Sequence, residues 1–250
     1  MPVVIEETVQ VQDHNDSITV VNTSTGLTDG FLLWIGLGSD GVDSAASSTV
    51  SINGTPDEIV GTPVAAGASS PFFVSLYSGW DDGDTWPTTG TLLHTINTGY
   101  GNEGGALFEL SDVDQTVPIG FGSTLDTQVL KSGTIMPTHS GVTGSDGDLV
   151  LIVCCADSGL TLTKPDAING VAWLEHYNET NETLVGGSVQ RGAVWSCLLD
   201  QDLTSTNIVA GTVGGGTSSN VASTLLVIQS ESGGVPNGGT ILPQMMQNLH

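Results

Sequence analysis

Basic residues are almost missing from this sequence. Lys131, Lys164 and Arg191 stand against 27 acidic residues, giving a formal charge of −24 over 250 residues. Three dispersed cations cannot displace the counterions of a phosphate backbone, which excludes nucleic-acid binding by charge neutralisation. They also exclude a polybasic membrane anchor. Cysteine is scarce: three cannot all pair within one chain, so a disulfide scaffold is not expected. Cys154 and Cys155 are neighbours whose side chains point to opposite faces of a strand, so they read as reduced core residues rather than joint metal ligands. Long apolar runs are absent too. Phe31–Leu37 and Leu149–Ala156 have strand length, far below the roughly 20 residues of a spanning helix. The first 20 residues carry Glu6, Glu7, Asp13 and Asp16, no base and no apolar stretch, so no secretory signal is read and the chain is expected to be soluble.

Catalytic signatures are likewise lacking. There is no Gly-x-x-x-x-Gly-Lys-Ser/Thr phosphate loop and no Gly-x-Ser-x-Gly elbow. Histidines 14, 94, 139, 176 and 250 are scattered without metal-ligand spacing. Gly36, Gly38 and Gly41 form a Gly-x-Gly-x-x-Gly string, but the Ser/Ala-rich segment after it runs into Ser51-Ile52-Asn53-Gly54, a strand and turn. Dinucleotide binding needs a helix there, so no cofactor is expected.

What is present is punctuation and alternation. With 34 Gly and 10 Pro, turns are dense. Ser17–Val21, Thr49–Ile52, Phe72–Tyr77, Leu149–Cys155, Val194–Leu199 and Thr224–Ile228 are short, rich in β-branched, aromatic and aliphatic residues, and bounded by turn-forming clusters. No segment shows sustained helical spacing of apolar residues. The expected class is all-β, and such strands need a sandwich or barrel to bury their apolar faces.

The strands also repeat. Asp29–Ile35 matches Asp146–Ile152 at an offset of 117, and Phe72–Tyr77 matches Ala193–Leu198 at 121. Ala106–Leu110 then corresponds to Leu225–Ile228, after a Gly-rich turn in both cases. Three matches in one order point to duplication of a unit of about 115 residues, hence two tandem antiparallel β-sandwiches. The expected division is residues 1–115, residues 116–232, and a tail, 233–250, in which a Gly-rich linker carries an apolar arm.

One passage of the second unit has a family likeness. Gly147-Asp148-Leu149-Val150-Leu151-Ile152-Val153 opens a strand, a loop with Pro165 follows, and then Trp173-Leu174, Ala193-Val194-Trp195 and a closing strand, Leu225-Leu226-Val227-Ile228. This resembles the jelly-roll-like β-sandwich domains of tailed-bacteriophage virion proteins, across roughly Gly141–Ser230 and more weakly from Asp29 onward. The resemblance implies a non-enzymatic virion structural protein on the outer surface of the particle, a capsid decoration (cement) protein or an appendage subunit. Its partners would be the major capsid or other virion proteins, and its expected state is a homo-oligomer, by analogy a trimer.

Three sets of residues are candidate contacts. Val3, Val4 and Ile5 at one end, and Ile241, Leu242, Met245, Met246 and Leu249 at the other, are apolar terminal segments suited to docking on a partner. Trp80, Trp86 and Tyr100 would stack on sugar rings if exposed, which is the alternative reading: a carbohydrate-binding or adhesive module of a tail fibre or host-attachment protein. Asp81, Asp82 and Asp84 crowd hard oxygen ligands suited to Ca²⁺, although Asp and Gly also serve such turns by geometry alone, as in Ser145-Asp146-Gly147-Asp148.

Overall fold

Residues 31–39 and 149–156 are two apolar strands, and each becomes the centre of its own five-stranded antiparallel sheet. The computed structural model describes residues 1–13, 17–21, 29–39, 48–53, 58–65, 72–80, 91–96, 102–130, 136, 138–156, 161–183, 189–214 and 219–231. Among them there is no helix. The first half holds β1 (Val4–Asp13), β2 (Ser17–Val21), β3 (Phe31–Ser39), β4 (Ser48–Asn53), β5 (Glu58–Ala65), β6 (Phe72–Trp80), β7 (Thr91–Ile96) and β8 (Asn102–Ser111). The second holds β9 (Ile119–Leu130), β10 (Thr138–Gly144), β11 (Leu149–Ala156), β12 (Thr161–Thr163), β13 (Leu174–Thr183), β14 (Val189–Leu198), β15 (Leu203–Val209), β16 (Thr212–Gly214) and β17 (Ser219–Ile228). Gly36 and Gly38 of the glycine string lie inside β3, and Gly41 lies outside the described residues.

In the first half one sheet runs β1-β8-β3-β6-β5 and a smaller one β2-β7-β4. The second half repeats this: β9-β17-β11-β14-β13 in the large sheet, with β10-β15 and β12-β16 outside it. The strand corresponding to β7 is divided into β15 and β16 by Ala210 and Gly211. First, eighth, third and sixth strands side by side, with second, seventh and fourth in the facing layer, is jelly-roll order, except that the fifth strand here bonds to the sixth.

The ladders fix how the halves correspond. Phe31 pairs with Trp80 and Leu110, whereas Leu149 pairs with Leu198 and Ile228. All three equivalences share a single offset of 118, which corrects the 117 and 121 of the sequence matches. Because side chains alternate with period two, the one-residue slip would exchange core and outward faces. The entry turns agree with 118: Asp29 (φ +46°) and Gly147 (φ +90°) both stand two residues before the paired strands, in left-handed conformation.

The two large sheets pack face to face. Phe31, Leu33, Ile35, Ala106, Phe108 and Leu110 of one share a buried core with Leu149, Leu151, Val153, Tyr177, Val194, Leu226 and Ile228 of the other. The contact is reciprocal at its corners, with β1 against β13 and β9 against β5. The opposite face of the second sheet has its own core, in which Val150, Ile152, Trp195, Leu225 and Val227 are covered by Val142, Leu162, Leu203 and Ile208. On the far side of the first sheet Leu32 and Leu107 are also buried, and β2 lies against β1 and β8. The layers therefore run small sheet, large sheet, large sheet, ribbons. Residues 112–118 lie between β8 and β9, and strands on both sides of them share one buried core.

Candidate functional site

The N-terminal residues lie beside the turn before β11 and the residues that follow β17. The backbone N–H of Val3 donates to the Gly147 carbonyl (2.9 Å), and the Met1 ammonium donates to the Glu231 carbonyl (2.8 Å). Val3 is a correction to the expected apolar arm: it is buried in the shared core, and Ile5 packs partly against that core. Only Val4 of the three is exposed. Alternation along β1 explains this, since a strand pinned in a sheet shows one face of its apolar residues inward. Ile241, Leu242, Met245, Met246 and Leu249 lie outside the described residues.

Around the N-terminus is an open pocket of about 680 Å³, lined by Pro2, Asp114, Asp146, Asp148, Ser230 and Glu231 among others. Two of its carboxylates, those of Asp148 and Asp114, shape turns. Asp148, buried, accepts the Ser145 amide (2.8 Å), the Ser230 amide (2.8 Å) and the Ser230 hydroxyl (3.0 Å). Asp114 accepts the amides of Thr116 and Val117, and Asp202 accepts the amide of Asp146. The Ser145–Asp148 turn is thus held by its own Asp148 and by Asp202. No group of three or more metal-ligating side chains is gathered among the described residues. Asp81, Asp82 and Asp84 lie outside those residues, as do Trp86 and Tyr100. Trp80 ends β6, its backbone opposite Phe31 and Glu58.

Two histidine–serine pairs emerge that the sequence did not single out. His139 Nε2 lies 2.8 Å from the Ser223 hydroxyl, and His176 Nε2 lies 2.6 Å from that of Ser196. Their geometry is that of a base beside a nucleophile, yet Ser223 and Ser196 are both buried, on opposite faces of the second large sheet. The first pair ties β10 to β17 of the large sheet, and the second joins neighbouring strands β13 and β14 within that sheet. Nothing local marks them, because the partners are 84 and 20 residues apart in the chain. The Cys197 thiol is no better a nucleophile: burial and the negative charge of Asp200 push it up to about 11, so it stays protonated at neutral pH.

The remaining surface feature is apolar. Leu174 is 59% exposed and Leu198 40%, and the register puts both on the face of the second large sheet that carries Val194. They sit on the edge and penultimate strands of that sheet. Val117 and Val209 are further exposed aliphatics. Among the described residues, then, Asp114 and Asp148 shape turns, His139 and His176 are buried, and a few aliphatic side chains reach the surface. No family model, curated protein or solved structure matches the chain.

Proposed function

We propose that this chain is a non-enzymatic structural protein of a tailed-phage virion, built by duplication of one jelly-roll-like unit and displayed on the outside of the particle as a decoration protein or appendage subunit. The supporting observation is the recurrence of a jelly-roll strand order in both halves, joined back to back through a buried apolar core. Such a body is stiff and offers its edges, ends and exposed aliphatics such as Leu174 for contact. Its partners are the major capsid protein or sister subunits, and many weak attachments on one particle add through avidity. The segment 233–250 supplies an apolar arm to that attachment.

Mass spectrometry of gradient-purified particles from the phage encoding the chain tests this reading. The expected result is the protein at many copies per particle, with attachment weakened when residues 233–250 are deleted. Particles that lack the protein would overturn the proposal, and full attachment of the truncated chain would remove the arm from it.

A further inference from the structure

His176 stands where the two sandwiches meet. A bulge in β13 between Glu175 and Tyr177 places it beside the inner face of the second large sheet. From there it reaches across to the first: its Nδ1 lies 3.5 Å from the Thr8 hydroxyl on β1, at the limit of a hydrogen bond, while its ring meets Phe108 on β8 edge-on at 4.9 Å. Its Nε2 is held by Ser196 on β14 at 2.6 Å. The side chain is only 7% exposed. We infer that His176 makes the packing of the two halves sensitive to acid, tying them together as a neutral imidazole and loosening the shared core when it takes up a proton.

The chemistry follows from what surrounds the ring. A neutral imidazole offers one donor and one acceptor, and each hydroxyl can serve either, so the tie is satisfied in both tautomers. An imidazolium brings a full charge among Phe108, Tyr177 and Val194, where burial disfavours it. Glu179 stands two residues beyond Tyr177 on β13, opposite Gly192 of β14, whereas other carboxylates on the neighbouring strands are directed elsewhere. Glu7 and Glu109 are paired with each other in the ladder at the position next to Thr8 and Phe108, hence on the opposite face. Glu6 accepts the Ser111 hydroxyl, and Glu175 accepts the Trp195 indole N–H and the Asn178 amide. On β14 Cys197 faces the other core. Tyr177 is a titratable group that shares the His176 face. Burial accordingly lowers the His176 pKa from 6.5.

The sign is fixed by linkage. With the folded value below the unfolded one, the folded chain binds fewer protons in the window beneath pH 6.5. The stability His176 confers is complete above that window and is lost as pH falls through it, by up to about tenfold in the unfolding equilibrium per pH unit for one proton.

The test compares urea unfolding of the full chain and its His176→Gln variant between pH 8 and pH 5, since Gln keeps a donor and an acceptor but cannot be charged. The expected result is a steeper acid loss in the wild-type protein, beginning near pH 6.5 and missing from the variant; parallel profiles would overturn the inference. A second measurement needs no variant. NMR titration of the wild-type protein should show the His176 ring titrating below its ordinary range, with the amides of Thr8 and Phe108 shifting in step. A midpoint at or above 6.5, or amides that stay still, would equally overturn it.

Discussion

At the scale of single residues, the backbone sets sharper limits than the side chains at two glycines. Gly211 divides β15 from β16 with φ +120°, and a Cβ built there would lie 2.2 Å from the Thr163 carbonyl oxygen. Gly170 also has positive φ (+93°), but nothing lies within 4 Å of its would-be Cβ. It sits with Asn169 at the tip of a two-residue hairpin closed by hydrogen bonds in both directions between Ile168 and Val171. The two positions separate conformational strain from steric exclusion. Gly170→Ala should cost about 1–2 kcal/mol, the strain of a left-handed residue with a side chain. Gly211→Ala adds a backbone collision and should cost roughly 2–5 kcal/mol, strain and overpacking together. Urea midpoints of the two variants measure this, and equal losses would refute the distinction.

At the scale of elements, the Ser145–Asp148 turn shows how a short acidic stretch holds strands in place. Asp148 fastens the turn before β11 to the residue just past β17, through Ser145 on one side and Ser230 on the other. Replacing it with Ala leaves two amides without their acceptor, so Asp148→Ala should lose about 1–3 kcal/mol by chemical denaturation, as expected when an acceptor is removed from part-buried donors. A loss below 0.5 kcal/mol would mean that the amides find water instead. The elements themselves were legible: Ser17–Val21 coincides with β2, and the five other strands read from composition fall within or overlap β4, β6, β11, β14 and β17. Register was not. The Asp-Gly pairs at Asp29 and Asp146 drew the match to 117, because turn chemistry is conspicuous in letters, whereas the ladder carries an additional residue, Asp148, between the second pair and its strand. The histidine–serine ties were illegible for another reason. Ser196 and Ser223 look like any strand serine until pairing and packing bring an imidazole to each, and a bulge such as the one at His176 has no local signature.

At the scale of the whole molecule, the equivalent faces of the two halves are buried against one another, much as a two-fold dimer buries one patch twice. The connection is reinforced at its end: Val113 bridges to Ser230, the Asp114 amide donates to the Gln229 carbonyl, and the Glu231 amide donates to that of Asp112. Loss of either large sheet exposes the inner face of the other, including Phe31, Leu33 and Phe108 on one side and Leu149, Leu151 and Leu226 on the other. Neither half therefore has a reason to survive the other's unfolding. Scanning calorimetry should give one transition whose calorimetric and van't Hoff enthalpies agree. Leu151→Ala, a truncation in the second half costing about 2–5 kcal/mol, should move that transition as a whole. Two peaks, with only the one belonging to residues 116–231 displaced by the substitution, would show that the halves are merely neighbours and that the shared core does not couple them.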